Sequence, residues 1–411
     1  MLIKNWIEQK KIMPNPRKWD KDRLSLFAGE QHSSGGSDEY TFEGHKSFVI
    51  ATGDGIYTHN VIADISTHQY IEICIYIPEP TKVSTVITYV YAGSKYAHYS
   101  LEKNHELGWN RYRIRKDDAN FYGGLSDWSS ITSIKLELRT VSEQTTWIAV
   151  SSVEALNLKS VLSIHFDDGH ATAFTEAKPI MDKYGLVGCA NIITGDIGDV
   201  GRMTIGQLKE LQMAGWDINN HTQNHINLSS ATEEDIIADL TASRAWLKKH
   251  GFHQGANFLI APYGDVLKAR YPLYFQYCKA FRSGDCLGNI SMLPSSSFAA
   301  EDYVSKYLCV ANDDTPTTIT GYIDNLISSG GLMNLCFHCL VDPASQSTQY
   351  TPTNFETVMA YIATKRDAGE LEVLTFSDIY YQTKGFILND DEGAILWGIR
   401  NRVPVAVDLE I

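Results

Sequence analysis

Between residues 31 and 155 apolar and polar positions alternate in short runs. Ile71, Ile73, Ile75 and Ile77 alternate with Glu72, Cys74 and Tyr76, and Ile134, Leu136 and Leu138 with Lys135 and Glu137. A period of two with β-branched and aromatic side chains belongs to strands that bury one face. KSFVIAT, STVITYVYA, WNRYRIR and TWIAV read the same way, separated by Gly, Asn, Asp and Ser clusters. About seven strands with no helical period between them predict an antiparallel β-sandwich of jelly-roll type. Residues 1–30, polar and charged with Pro14 and Pro16, read as an N-terminal arm or linker.

From about residue 157 the pattern becomes strand then helix. SVLSIHF (160–166) reads as a strand, and Phe174, Ala177, Met181 and Tyr184 suit a helix stopped by Gly185. After VGCANII, Thr204 and Gln207 form a capping box for a helix ending at Gly215. After GWDINN, Ser230 and Glu233 open a long helix whose Ile236, Leu240 and Leu247 share a face, closed by Gly251. ANFLIAP, CKAF, YLCVA, LMNLCF and LEVLTF follow, mostly separated by helical stretches. About eight strands in this alternation predict a distorted (β/α) barrel. The chain is thus expected to be multidomain, with the barrel over 157–385 and residues 386–411 as a C-terminal extension.

Composition narrows the function. The 411 residues suit two or three domains, and the net charge of -14 argues against nucleic acid or an anionic membrane surface as the main partner. Seven scattered cysteines suggest no disulfide framework. Cys336 and Cys339 form a Cys-x-x-Cys without the second pair a structural zinc site needs, so strand packing is the simpler reading. The first residues contain no apolar segment of the length a secretory signal needs, and no run of about 18 apolar residues predicts a membrane span.

Barrels of this kind carry their chemistry at the C-terminal ends of strands. HFDDG (165–169), HTQNH (221–225), APYGD (261–265), FRSGD (281–285) and FHCL (337–340) each end a predicted strand. A barrel would bring them onto one rim. In HTQNH, His221 and His225 can grip one ion if the segment turns helically, or can be an unrelated surface or core pair. Asp167 and Asp168 divide naturally into a metal ligand and a proton acceptor, or are an ordinary strand-to-helix turn. His338, at the end of a buried strand, is a catalytic group or a core histidine.

Together these motifs resemble those of the polysaccharide deacetylases, the carbohydrate esterases with a NodB-homology domain. HFDDG is similar to the family's first motif, TFDDG, with His165 in place of Thr. HTQNH matches its His-[Ser/Thr]-x-x-His metal motif, APYGD its third motif, and MNLCFH the strand that delivers the last histidine. The resemblance implies one divalent metal, zinc by preference, held by Asp168, His221 and His225. It implies Asp167 as general base, His338 as general acid, and the backbone N–H of Tyr263 as an oxyanion donor on the substrate side. The implied substrate is an acetylated polysaccharide outside the cell or at a cell surface; an arm, a glycan-binding sandwich and a hydrolase without a secretory signal also suit a virion-associated protein.

Two departures mark the chain. The family's third motif begins with an arginine that orients the catalytic Asp, but Ile260 stands there. Arg282, at the end of the next strand, is the natural substitute. Where the fourth motif carries a Trp beside an Asp, this sequence has Asp285-Cys286-Leu287, which leaves Asp285 as a substrate-side candidate. The N-terminal sandwich resembles accessory carbohydrate-binding modules in architecture, with Tyr57, Tyr99, Tyr122 and Trp128 as candidate sugar-stacking residues. The rival reading is a glycan-binding adhesin or a phage tail-associated receptor-binding protein whose barrel has lost its activity.

Overall fold

A computed structural model describes residues 20–28, 36–42, 45–53, 56–101, 105, 107–116, 119–284, 304–384, 395–400 and 403–408. Trp19–Leu158 form one compact unit, and the chain from Lys159 onward contributes the other. None of the described helices is long and apolar enough to cross a membrane.

The first unit contains β1 (Asp20–Ala28), β2 (Gly36–Phe42), β3 (His45–Ala51), β4 (Ile56–Ala63), β5 (Tyr70–Ile77), β6 (Val83–Ala92), β7 (Lys95–Leu101), β8 (Gly108–Arg115), β9 (Asn120–Tyr122), β10 (Ile131–Thr140) and β11 (Trp147–Leu158). They form two antiparallel sheets, β2-β3-β11-β5-β8 and β4-β10-β6-β7-β9, with β1 also pairing with β11. Inward residues of both sheets, among them Ile73, Ile75, Val86, Val90, Ile134 and Val150, share one core.

Part of the predicted arm is strand. β1 buries Leu26 and Phe27 in that core. Its Arg23 donates to the fully buried Glu72 at 2.7 Å and also pairs with Glu154. Charges in the interior need partners, and Arg23 supplies one to two acidic residues of the sheet. That need is invisible in the local pattern of residues 20–28. β5 is likewise buried on both faces rather than one.

The second unit begins with β12 (Ser160–Phe166), β13 (Cys189–Ile192), β14 (Asp217–Asn220), β15 (Phe258–Ile260), β16 (Ala280–Arg282), β17 (Val304–Ser305), β18 (Leu308–Cys309) and β19 (Gly331–Phe337). All pair in parallel in the order β17-β16-β15-β14-β13-β12-β19-β18. The two ends of that order, β17 and β18, are joined by Lys306 and Tyr307 alone, so the sheet is curled, as in a distorted barrel. β20 (Cys339–Leu340) pairs with β21 (Gln349–Tyr350), and β22 (Glu372–Val373) pairs with the start of β12. In the C-terminal extension, β23 (Ile395–Arg400) and β24 (Val403–Asp408) form an antiparallel hairpin.

β12 explains how this unit presents polar groups. Its whole length is buried. Leu162, Ile164 and Phe166 pack into the main apolar core with Met181, Trp216, Phe337 and Phe355. The alternate residues Ser163, His165 and Asp167 are also buried but join hydrogen bonds instead. The strand period of two thus sends one face outward to helices and the other inward to a polar interior.

Helix caps follow the local chemistry with one shift. Thr204 and Gln207 form the reciprocal capping box of helix Ile205–Met213. The long helix Glu233–Lys249 is capped by Thr232, whose hydroxyl accepts from the N–H of Asp235, and not by Ser230. The N-cap side chain must reach the N–H three residues on, and Thr232 meets that spacing.

Candidate active site

The strand ends bring together Asp167 and Asp168 after β12, His221 and His225 after β14, Tyr263 after β15, Arg282 at the end of β16 and His338 after β19. Asp285 lies outside the described residues.

Asp168 Oδ1 stands 3.4 Å from Nε2 of His221 and 3.3 Å from Nε2 of His225. One ligand atom from each residue lies within 4.8 Å of the other two. Atoms bound at about 2.1 Å to one tetrahedral ion lie about 3.4 Å apart, so the spacing suits a shared cation. The ring chemistry agrees. Nδ1 of His221 is 2.7 Å from the carbonyl of Ile260, which fixes its proton there and leaves Nε2 with a free lone pair. Nδ1 of His225 is 3.1 Å from the Tyr263 hydroxyl, which can accept its proton in the same way. Burial opposes the charge on Asp168, but the neighbouring His170, His221 and His225 hold its carboxyl far below the usual range.

The 221–225 segment is not helical. Thr222 and His225 have φ of 67° and 54°, in the left-handed region. Asp168 (66°) and Tyr263 (59°) share that conformation. Such residues cost about 1–3 kcal/mol each and persist where surroundings over-determine them. The determinants are visible. The N–H groups of Thr194 and Gly195 donate to the carbonyls of Thr222 and Gln223 at 3.1 and 3.0 Å. Buried Asp239, on helix Glu233–Lys249, accepts from the N–H groups of Gln223 and Asn224 at 2.6 and 3.0 Å. A Cβ on Gly195 would stand 2.5 Å from the Gln223 carbonyl oxygen, so this approach requires glycine.

Asp167 is nearly fully buried, and its two oxygens have different partners. Oδ1 accepts from Nδ2 of Asn191 at 2.7 Å, and Oδ2 accepts from Arg282. Arg282 is 1% exposed and its guanidinium lies 4.4 Å from the ring centroid of Tyr307. Burial opposes ionisation of Asp167, but Arg282, then His221 and His338, hold it well below the ordinary carboxylate range. Burial likewise opposes charge on His338, yet a hydrogen bond with Cys309 and the negative Asp167 raise it above the usual imidazole value. The same rim holds the carboxylate ionised and favours the protonated form of the imidazole.

Sequence patterning did not reveal the residues that hold this arrangement. Asn191 also contacts Nδ1 of His165 at 3.1 Å, and His165 Nε2 is 3.2 Å from Oδ1 of Asn334. Burial and Arg282 push His165 down to about 3, so it serves as a neutral member of the network. Arg202 donates to the Asp168 carbonyl at 2.7 Å. Asn191 sits inside the apolar run VGCANII, and that polar residue in a buried strand was the available signal. Asp239 and Arg202 gave none.

The candidate sugar-stacking residues divide. Tyr99 and Trp128 are buried, and the Tyr99 hydroxyl donates to the Lys116 carbonyl at 2.9 Å. Tyr57 packs against Phe48 and Phe27. Tyr122 alone of the four is exposed, at 62%. It stacks on Tyr96, which neighbours Tyr91, Tyr89 and His98 on the face of the sheet away from Val86 and Val90. The alternation of β6 and β7 puts these rings outward.

Residues 157–273 match the family model described as polysaccharide deacetylase. The matched stretch contains Asp167, Asp168, His221, His225 and Tyr263, while Arg282 and His338 lie beyond it. A poly-beta-1,6-N-acetyl-D-glucosamine N-deacetylase of Staphylococcus aureus (strain MRSA252) is 26% identical over 241 residues, covering 52% of this chain and 81% of the relative. Among solved structures, a family 4 acetyl xylan esterase from Clostridium thermocellum is 15% identical with a TM-score of 0.37, covering 54% of this chain and 90% of its own. IcaB from Ammonifex degensii is 18% identical with a TM-score of 0.33, covering 39% and 72%.

Proposed function

We propose that the chain is a metal-dependent hydrolase that removes N- or O-acetyl groups from a cell-surface or extracellular polysaccharide. One observation carries this: the cation-sized group Asp168, His221 and His225 lies beside the buried Asp167–Arg282 pair and His338. When bound, a divalent ion there, with zinc as first choice, supplies positive charge against the acetyl carbonyl and acidifies water. Asp167, kept ionised, takes the proton of the attacking water. The backbone N–H of Tyr263 donates to the developing oxyanion. His338, whose protonated form the site favours, gives its proton to the departing nitrogen or oxygen as the acyl bond breaks. The products are acetate and a free amine or hydroxyl.

Arg282 acts here as a positioning residue. Arg282→Ala leaves Asp167 a buried carboxylate without its cation, which raises its pKa. The acidic limb of the pH–rate profile should move upward. Breaking a buried pair from one side costs about 3–5 kcal/mol, which denaturant unfolding at neutral pH would measure. Asp167's folded pKa lies below its unfolded one, so this contribution is full above about pH 4 and fades as pH falls further. The stability gap between wild type and variant should therefore narrow in acid. An unchanged limb and an unchanged gap would remove Arg282 from this role.

The relative from Staphylococcus aureus makes poly-β-1,6-N-acetylglucosamine the first polymer to test. Acetate release from that polymer, acetylated xylan and peptidoglycan glycans, with metal analysis, tests the reading. Failure on all acetylated glycans by the metal-loaded chain would sink it.

The N-terminal unit is proposed as a jelly-roll-like sandwich that binds the same glycan through the outward row of Tyr91, Tyr96 and Tyr122. A second contact on one chain raises the effective concentration of substrate at the barrel. The double variant Tyr96→Ala, Tyr122→Ala should lose severalfold activity on sub-saturating polymer and none on a small acetyl ester. Equal loss on both substrates would count against a glycan platform.

A further inference from the structure

A second group of donors stands at the same rim. Ligand atoms of Asp167, Cys336 and His338 lie within 4.8 Å of one another. Cys309 is the register partner of Cys336 across β18 and β19, so the two thiols leave the same face of the sheet. Cys309 interacts electrostatically with both Cys336 and His338. Nδ1 of His338 is buried and has no hydrogen-bond partner among the described residues. Cys339, the other half of the Cys-x-x-Cys, accepts from Thr172 instead and stands apart from this group.

We propose that Cys309, Cys336, His338 and Asp167 form a second cation site, selective for thiophilic ions such as Zn2+ and Cd2+, whose occupation inhibits the enzyme. Two sulfurs, one imidazole nitrogen and one carboxylate oxygen are a donor set that soft and borderline ions take in preference to Mg2+ or Mn2+. The first group, with one carboxylate and two imidazoles, has no such preference for soft ions.

Charge agrees with this assignment. Both thiols, and the His338 imidazole where it is protonated, lose their protons to solvent on binding. The two thiolates and Asp167 then carry three negative charges and Arg282 one positive, so a divalent ion closes the balance. Inhibition rests on the function proposed above, because the ion would take up the lone pairs of Asp167 and His338 that proton transfer needs.

Cd2+ is the direct probe, since thiolate ligation gives an ultraviolet charge-transfer band that oxygen and nitrogen ligands do not. The full chain, stripped of metal and titrated with Cd2+, should develop this band. His225→Ala, which lacks the first group's histidine, should keep it. The Cys309→Ser, Cys336→Ser double variant should lose it. In the activity arm, excess Zn2+ should suppress acetate release by the wild type and spare Cys309→Ser.

No band in the wild type, or a band that persists in the double variant, overturns the site. Should the double variant fail to fold, alkylation of the half-buried Cys309 in the wild-type chain decides. Cd2+ should protect it from iodoacetamide, and equal labelling with and without Cd2+ overturns the proposal. A band accompanied by full activity in excess Zn2+ keeps the ion site and overturns the inhibition, with Asp167 and His338 as base and acid.

Discussion

His225→Ala is expected to lose both the bound divalent ion and acetate release while the chain stays folded. The imidazole lies on the strained loop after β14 and is part exposed at its rim, so its removal leaves no cavity in the apolar core. What remains is one carboxylate and one imidazole, a poorer site than the three-ligand set of open hydrolytic centres. The loop should survive, because Asp239, Thr194 and Gly195 hold it through its backbone and not through His225. Metal content after dialysis, circular dichroism and acetate release are the three measurements. Stoichiometric metal in the dialysed variant would refute the ligand assignment.

Asp167→Asn is expected to keep the metal and lower turnover by roughly two to four decades, the usual worth of a general base. The amide has nearly the same shape, and Asp168, His221 and His225 are untouched. Stability should fall as well. Asp167 accepts from Asn191 on one oxygen and from Arg282 on the other. An amide has a single oxygen, so one of these donors loses its acceptor and Arg282 becomes an unpaired buried cation. Turnover must therefore be measured where circular dichroism shows the variant folded. A folded Asp167→Asn without metal would reverse the roles of the two aspartates, and one with wild-type turnover would remove Asp167 as base.

The elements that carry the site were legible because barrel strands announce themselves locally. SVLSIHF, VGCANII, GWDINN and ANFLIAP each contain the strand that forms there, and LMNLCF all but the first residue of its strand. The motif HFDDG overlaps the end of the first of these strands, and HTQNH and APYGD sit directly after the third and fourth. The misreadings share one cause. Residues 20–28 looked like an arm because Arg23 finds Glu72 and Glu154 only across the sheet. Tyr99 and Trp128 looked like platform candidates because an aromatic ring on a strand can face either way until its sheet is packed. For HTQNH a helical turn was the condition for gripping an ion, whereas left-handed Thr222 and His225 achieve the same approach in a loop.

What the sequence determined by itself was which chemistry is available and in what order along the chain: two carboxylates, a histidine pair, an arginine in place of the family's and a last histidine. Periodicity and motif spacing are local, and local patterns survive without knowledge of the fold. Only the tertiary structure decided which of these groups meet. The pairing of Arg282 with Asp167 spans 115 positions, and the register of Cys309 with Cys336 depends on how β18 lies along β19. The support of Asp167 by Asn191 and of the histidine loop by Asp239 likewise follows from packing. Distances, burial and electrostatic shifts arise between side chains remote in sequence, and the curl of the parallel sheet sets them.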